Sequence, residues 1–157
     1  MFVKNKTVKK SLSERISQSP RDDKWLLSRL KRVWGDYFSD VVQVNPIVIG
    51  FGRYSKYRFG SVRYEKRAKT TYITLTGMFK DERVPEEVID QTIAHEICHY
   101  AHGFSSPRPR LHKYPHYGGI IKKELNTRGL ECLVKAYAKW LKEYRKTLKF
   151  WLLHFEF

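Results

Sequence analysis

The spacing of apolar positions predicts helices toward both ends of the chain and short strands between them. After Asp22 or Asp23, either able to cap a helix, Leu26, Leu30, Val33, Trp34 and Tyr37 recur every three or four residues, so a helix should run to about Phe38. Residues 41–49 are rich in β-branched side chains and predict a strand, which Pro46 places near a sheet edge. A turn is expected at Gly50-Phe51-Gly52, and Gly60-Ser61 suggests the turn of a hairpin within residues 53–69. Residues 70–79 alternate most regularly and give the clearest strand.

Val84-Pro85-Glu86-Glu87 then reads as a helix start, with proline in the first turn and acids at the positive end of the dipole. Val88, Ile89, Ile93 and Ile97 form the core-facing stripe, and Gly103 closes the helix. Pro107, Pro109 and Pro115 make residues 105–115 a loop. A further helix is expected from about His116 to Leu125. After Asn126 or Thr127 a long last helix should carry the stripe Leu130, Leu133, Val134, Tyr137, Leu141, Tyr144 and Leu148. No internal repeat is visible. These elements amount to an α+β domain: a small three-stranded, mostly antiparallel sheet packed on helices. At 157 residues the chain fits one core-bearing domain over residues 21–150. A flexible basic arm over 1–20 should precede it, and an apolar tail over 151–157 should follow.

Charge changes the picture. Lys and Arg outnumber Asp and Glu by 31 to 16, a net charge of +15. The excess is uneven: residues 81–120 hold four cations against six anions, and every other part of the chain is basic. A basic body around a less basic segment points to a polyanionic partner, most simply nucleic acid; the alternative is a merely solvated basic surface. Two cysteines, Cys98 and Cys132, with Cys98 inside a helix, argue against a structural disulfide and for a reducing compartment. There is no signal-peptide pattern and no membrane-length apolar run. A cytoplasmic, nucleoid or nuclear location is therefore expected rather than secretion.

The densest chemical information lies at His95-Glu96-Ile97-Cys98-His99. Positions i and i+4 of a helix share a face one turn apart, so His95 and His99 can both point at one Zn²⁺, with Glu96 beside them to reach a water. A catalytic zinc wants a third protein ligand and one exchangeable position. The candidates are His102, His112, His116, Glu124 and Glu131. His116 is favoured, because it follows Pro115 and opens a predicted helix after a loop long enough to fold back. His102 points about 60° away from the ligand face.

With these residues the chain resembles the SprT-like zinc metalloproteases, which include the DNA–protein crosslink protease Spartan. The resemblance spans roughly residues 22–148. It is carried by Trp34-Gly35-Asp36-Tyr37-Phe38, by Tyr72-Ile73-Thr74-Leu75-Thr76, by the run from Val88 to Ala101 around the motif, and by Pro115-His116 with Gly118. Tyr117 stands where the family usually has Gly after the histidine, and Ile120 where it usually has an aromatic residue. The resemblance implies a zincin-like domain, His95, His99 and His116 as zinc ligands, and Glu96 as catalytic base. It also implies protein substrates bound or crosslinked to DNA.

A second electrophile for the developing oxyanion could be Tyr100, Tyr114, Tyr117, His112 or Arg110. For nucleic acid, residues 53–69 hold seven basic side chains and one acidic one. Arg53, Lys56, Arg58, Arg63, Lys66 and Arg67, interleaved with Tyr54 and Tyr57, suit single-stranded or unwound DNA: cations track phosphates and rings stack on bases. The alternative is a plain hairpin with its rings packed inward. Two other functions fit the pattern less fully: a nucleic-acid-binding module with a structural or vestigial metal, and a metal-dependent hydrolase of nucleotide-like substrates.

Overall fold

The computed structural model describes residues 20–154, with side chains described to residue 150. The expected N-terminal arm and the last three residues lie outside the described residues. Helix α1 spans Asp23–Tyr37, and the Asp22 carboxylate caps it by accepting from Trp25 N–H. Strands β1 (Ile47–Phe51), β2 (Gly60–Glu65) and β3 (Thr70–Leu75) follow. A short 3₁₀ turn at Gly77–Lys80 leads to α2 (Glu86–Ala101). A second at Tyr117–Gly119 leads to α3 (Ile120–Thr127), and α4 spans Glu131–His154. No described helix is long and apolar enough to cross a membrane.

The three strands lie in the order β1-β3-β2. The sheet is mixed rather than mostly antiparallel: β3 pairs antiparallel with β2 (Val62 opposite Ile73) and parallel with β1 (Ile49 opposite Ile73). The chain leaves β1, crosses to the far edge through residues 52–59, and returns by a tight hairpin. That hairpin turns at residues 66–69, not at Gly60-Ser61, which begin a strand. β1 also starts later and is shorter than its composition suggests. Residues 41–45 precede the strand pairing and are tied down by side chains: Trp34 Nε1 donates to Val41 O, and Val44 N donates to the Tyr100 hydroxyl. The strand then runs through Gly50, which packs against the Asp23 carboxylate, and Phe51 N–H donates to Asp23 Oδ1.

Helix α2 is the centre of the molecule. It packs against α1, α3, α4, β2 and β3, and thirteen of its sixteen residues are buried, which places its polar side chains in a dry environment. Val88, Ile89, Ile93 and Ile97 are fully buried, as their spacing predicts, together with Leu26, Phe38, Leu75 and Phe79. Full burial of each such side chain contributes about 1.5–3 kcal/mol. Buried Asp90 is neutralised by Arg29 at 2.8 Å and Arg32 at 2.6 Å, which clamps α1 to α2. The last helix starts at Glu131 and not near Thr127. Asn126 and Thr127 belong to α3, which is closed by Gly129 N–H donating to Asn126 O and Leu130 N–H to Leu125 O. The α4 backbone stays helical to His154, so the expected boundary at residue 150 does not coincide with the end of an element.

Candidate metal centre

His95 and His99 lie one turn apart on α2, and His116 reaches them from the far end of a proline-rich loop. That loop is fastened to the end of α2. Phe104 N–H donates to His99 O, Leu111 N–H to His102 O, and Ser106 Oγ to Tyr100 O. Arg108 donates to Val42 O across to the segment before β1. Gly103 makes the reversal possible: its φ is +80°, and a Cβ there would lie 2.3 Å from Pro109 O. The return places His116 at the cap of the second 3₁₀ turn.

The three ring nitrogens converge. His95 Nε2 lies 3.1 Å from His99 Nε2 and 3.2 Å from His116 Nε2, and the candidate ligand atoms of the three all fall within 4.8 Å of one another. Three nitrogens meeting at one point cannot satisfy one another, because each contact needs one N–H and one lone pair. A cation at the junction accepts all three lone pairs. The edges of a tetrahedron with metal–nitrogen bonds of 2.0–2.1 Å are about 3.3 Å, close to the spacing found. Burial suits the histidines to that task by disfavouring protonation. It drives His95 down to about 4, helped by His116, and His99 down to about 3, helped by its histidine neighbours. Both are neutral at physiological pH. His99 Nδ1 is buried without a hydrogen-bond partner among the described residues, so no protein group fixes its tautomer from behind. The three histidines are close enough to bind a metal ion.

Glu96 is only 5 % exposed, and burial raises its carboxyl to about 7 against the opposing pull of the Arg58 cation. Its seat is the start of β2. A Cβ on Gly60 would stand 2.7 Å from Glu96 Oε1 and 2.8 Å from Thr92 Cγ2, so only glycine lets the strand lie against the carboxylate. Sequence reasoning missed this residue by reading Gly60 as a turn. A lone glycine in a strand pattern, signalling close approach, was the available clue.

The other candidate ligands have different partners. His102 Nε2 contacts Glu124 Oε2, and Glu124 also pairs with Arg128 at 3.0 Å. His112 packs its ring on His102, 4.6 Å between centroids, and Glu131 stands exposed at the start of α4. Of the possible electrophiles, Tyr100 is fully buried and committed to structure: its hydroxyl donates to Asn45 Oδ1 at 2.7 Å and accepts from Val44 N. Arg110 lies over the Phe104 ring, which stands edge-on to His99. Tyr114 and Tyr117 flank His116 and are exposed.

The basic, aromatic segment is divided by the fold. Arg53, Tyr54, Lys56, Tyr57 and Arg58 belong to the coil before β2, whereas Lys66 and Arg67 sit on the hairpin turn. The two groups stand at opposite ends of a six-residue strand, about 17 Å apart along it. Arg63, on β2, covers the Tyr72 ring. Tyr57 is 74 % exposed, and Tyr54 faces α4. Compared with protein families, curated proteins and solved structures, the chain matches none.

Proposed function

We propose that the protein is a zinc-dependent metallopeptidase of the SprT-like type that cleaves proteins bound or crosslinked to DNA. The observation that carries this reading is the meeting of three imidazole nitrogens, two of them on histidines that burial keeps neutral, beside a buried glutamate on α2. Neutral histidine donors suit zinc among the available divalent ions. His95, His99 and His116 would hold the metal, which when bound supplies Lewis acidity and lowers the pKa of a water. Glu96 takes the proton of the attacking water and delivers it to the leaving amine. Gly60, at the start of β2, lets the strand lie against the Glu96 carboxylate and hold it in place for both transfers. β2 pairs only with β3 among the described residues, so its outer edge is open. An extended peptide can add to such an edge by main-chain hydrogen bonds, and this one begins at Glu96.

A closed structural site needs a fourth protein ligand. Among the described residues the cluster contains three histidines only, which favours an open catalytic position. The net charge of +15 and the cations of the β2 segment support DNA as the surface on which substrates are met. The test is cleavage of a protein crosslinked to DNA, with and without added single-stranded DNA, comparing the native chain with Glu96→Gln. Cleavage that depends on Glu96 and rises with DNA is the expected result. Zinc-loaded protein that binds DNA tightly in both forms but cleaves in neither would replace this reading with that of a binding module.

A further inference from the structure

Helix α4 and the loops facing it enclose a groove with a cavity volume of about 780 Å³, within the range of small-molecule sites. None of its lining residues belongs to the histidine cluster. Tyr54 and Lys56 come from the coil before β2, Met78 and Arg83 from the segment before α2, and Trp140 and Tyr144 from α4. Trp140 and Tyr144 stack at 4.8 Å with their rings 8° from parallel, and Phe59 packs edge-on against both. The Tyr144 hydroxyl donates to Lys56 O at 3.0 Å, which ties the helix to the coil and fixes the aromatic wall.

The charges of the groove are unequally used. Arg83 is paired with Asp81 at 2.6 Å, and Glu143, on the α4 wall, is paired with Lys146 at 3.1 Å. The exposed Lys56 ammonium has no ion pair among the described residues. A preorganised aromatic wall with one uncommitted cation at its rim matches a planar ring that carries an anion.

We infer that this groove binds an unstacked nucleobase together with its phosphate, the base against Trp140, Tyr144 and Tyr54 and the phosphate at Lys56. The inference extends the nucleic-acid part of the function proposed above, and it moves the contact surface from the hairpin turn to α4. The ligand could be a free nucleotide or one unpaired nucleotide of a strand, since both present the same chemistry.

The test uses the full zinc-loaded chain and two probes: thymidine monophosphate, and a short oligothymidylate carrying iodouracil for photocrosslinking. Crosslinks should map to Tyr54, Trp140 or Tyr144, and the monophosphate should compete for them. Lys56→Ala, a change at an exposed side chain, should weaken the monophosphate about tenfold, whereas Lys66→Ala on the distant turn should leave it unchanged. Groove crosslinks that the monophosphate does not compete for would support the site and assign it to a strand. Crosslinks confined to the hairpin turn, or no binding of either probe, would overturn the inference. Both probes read binding and not hydrolysis, so failure here leaves the peptidase reading standing, and failure of hydrolysis leaves this site standing.

Discussion

The histidine cluster and the aromatic groove meet at two consecutive residues, Phe59 and Gly60, yet they are built in opposite ways. Gly60 abuts Glu96, while the Phe59 ring packs on Trp140 and Tyr144. Three of the four groups of the cluster come from little more than one turn of α2, and burial keeps His95 and His99 neutral. The groove is assembled from segments far apart in sequence, with Lys56 and Tyr144 separated by 88 positions, and its cation stays in water. On the proposed reading, chemistry that needs a dry, fixed geometry would sit on the most buried helix. Recognition of a charged partner would sit at the rim, where desolvation costs little.

The comparison is broken most severely at the ligands. His99→Ala should abolish metal binding and all hydrolysis while leaving oligonucleotide binding intact, read by metal content and crosslinking on one sample. Loss of both functions together would show that the two regions are not separable. Gly60→Ala is next. The new methyl displaces the Glu96 carboxylate, and a shift of about 1 Å at a reacting group costs on the order of 10²-fold. The fall should be in kcat, with zinc retained; an unchanged kcat would mean that β2 does not position the base.

A third prediction isolates the dryness of the site. In metal-free protein, Glu96 holds a proton between pH 4.5 and about 7 that the unfolded chain has already lost. Stability from this group is therefore full below pH 4.5 and lost as pH rises through 7. Glu96→Gln removes the penalty, so its stability relative to the native chain should increase across that window, by at most about 3 kcal/mol above pH 7. Denaturant melts at pH 5 and pH 8 measure it, and an equal difference at both would show a well-solvated carboxylate. The smallest effect is expected at Tyr100→Phe. Losing its bonds to Asn45 and Val44 should cost about 1–3 kcal/mol of stability and leave kcat unchanged in the folded fraction. A large loss of kcat would return Tyr100 to the list of electrophiles.

The same contrast explains what could be read from the chain before its fold. His95, Glu96 and His99 were legible because helical period alone brings i and i+4 together, and Val88, Ile89, Ile93 and Ile97 gave the buried face by the same rule. His116 was favoured among five candidates, but the fasteners that bring it back, Gly103 on Pro109 and Leu111 on His102, are tertiary contacts without a spacing. The mixed pairing of the sheet was not legible for a similar reason. Parallel pairing of β1 with β3 depends on a crossover through residues 52–59 that leaves no periodic mark. Gly60 carries one symbol for two meanings, turn or close approach, and only the neighbouring Glu96 decides between them. The groove was half visible: Tyr54 and Lys56 stood out, whereas Tyr144 passed as one more apolar position of the last helix, and Trp140 was not singled out.

The most direct test of the central claim is zinc content and hydrolysis of an unfolded protein substrate, measured on the same preparations of the native chain and Glu96→Gln. The account predicts about one zinc per chain in both and a rate lower by about 10²–10⁴-fold in the variant. Equal hydrolysis by the two, or a native chain that takes up no zinc, would contradict it.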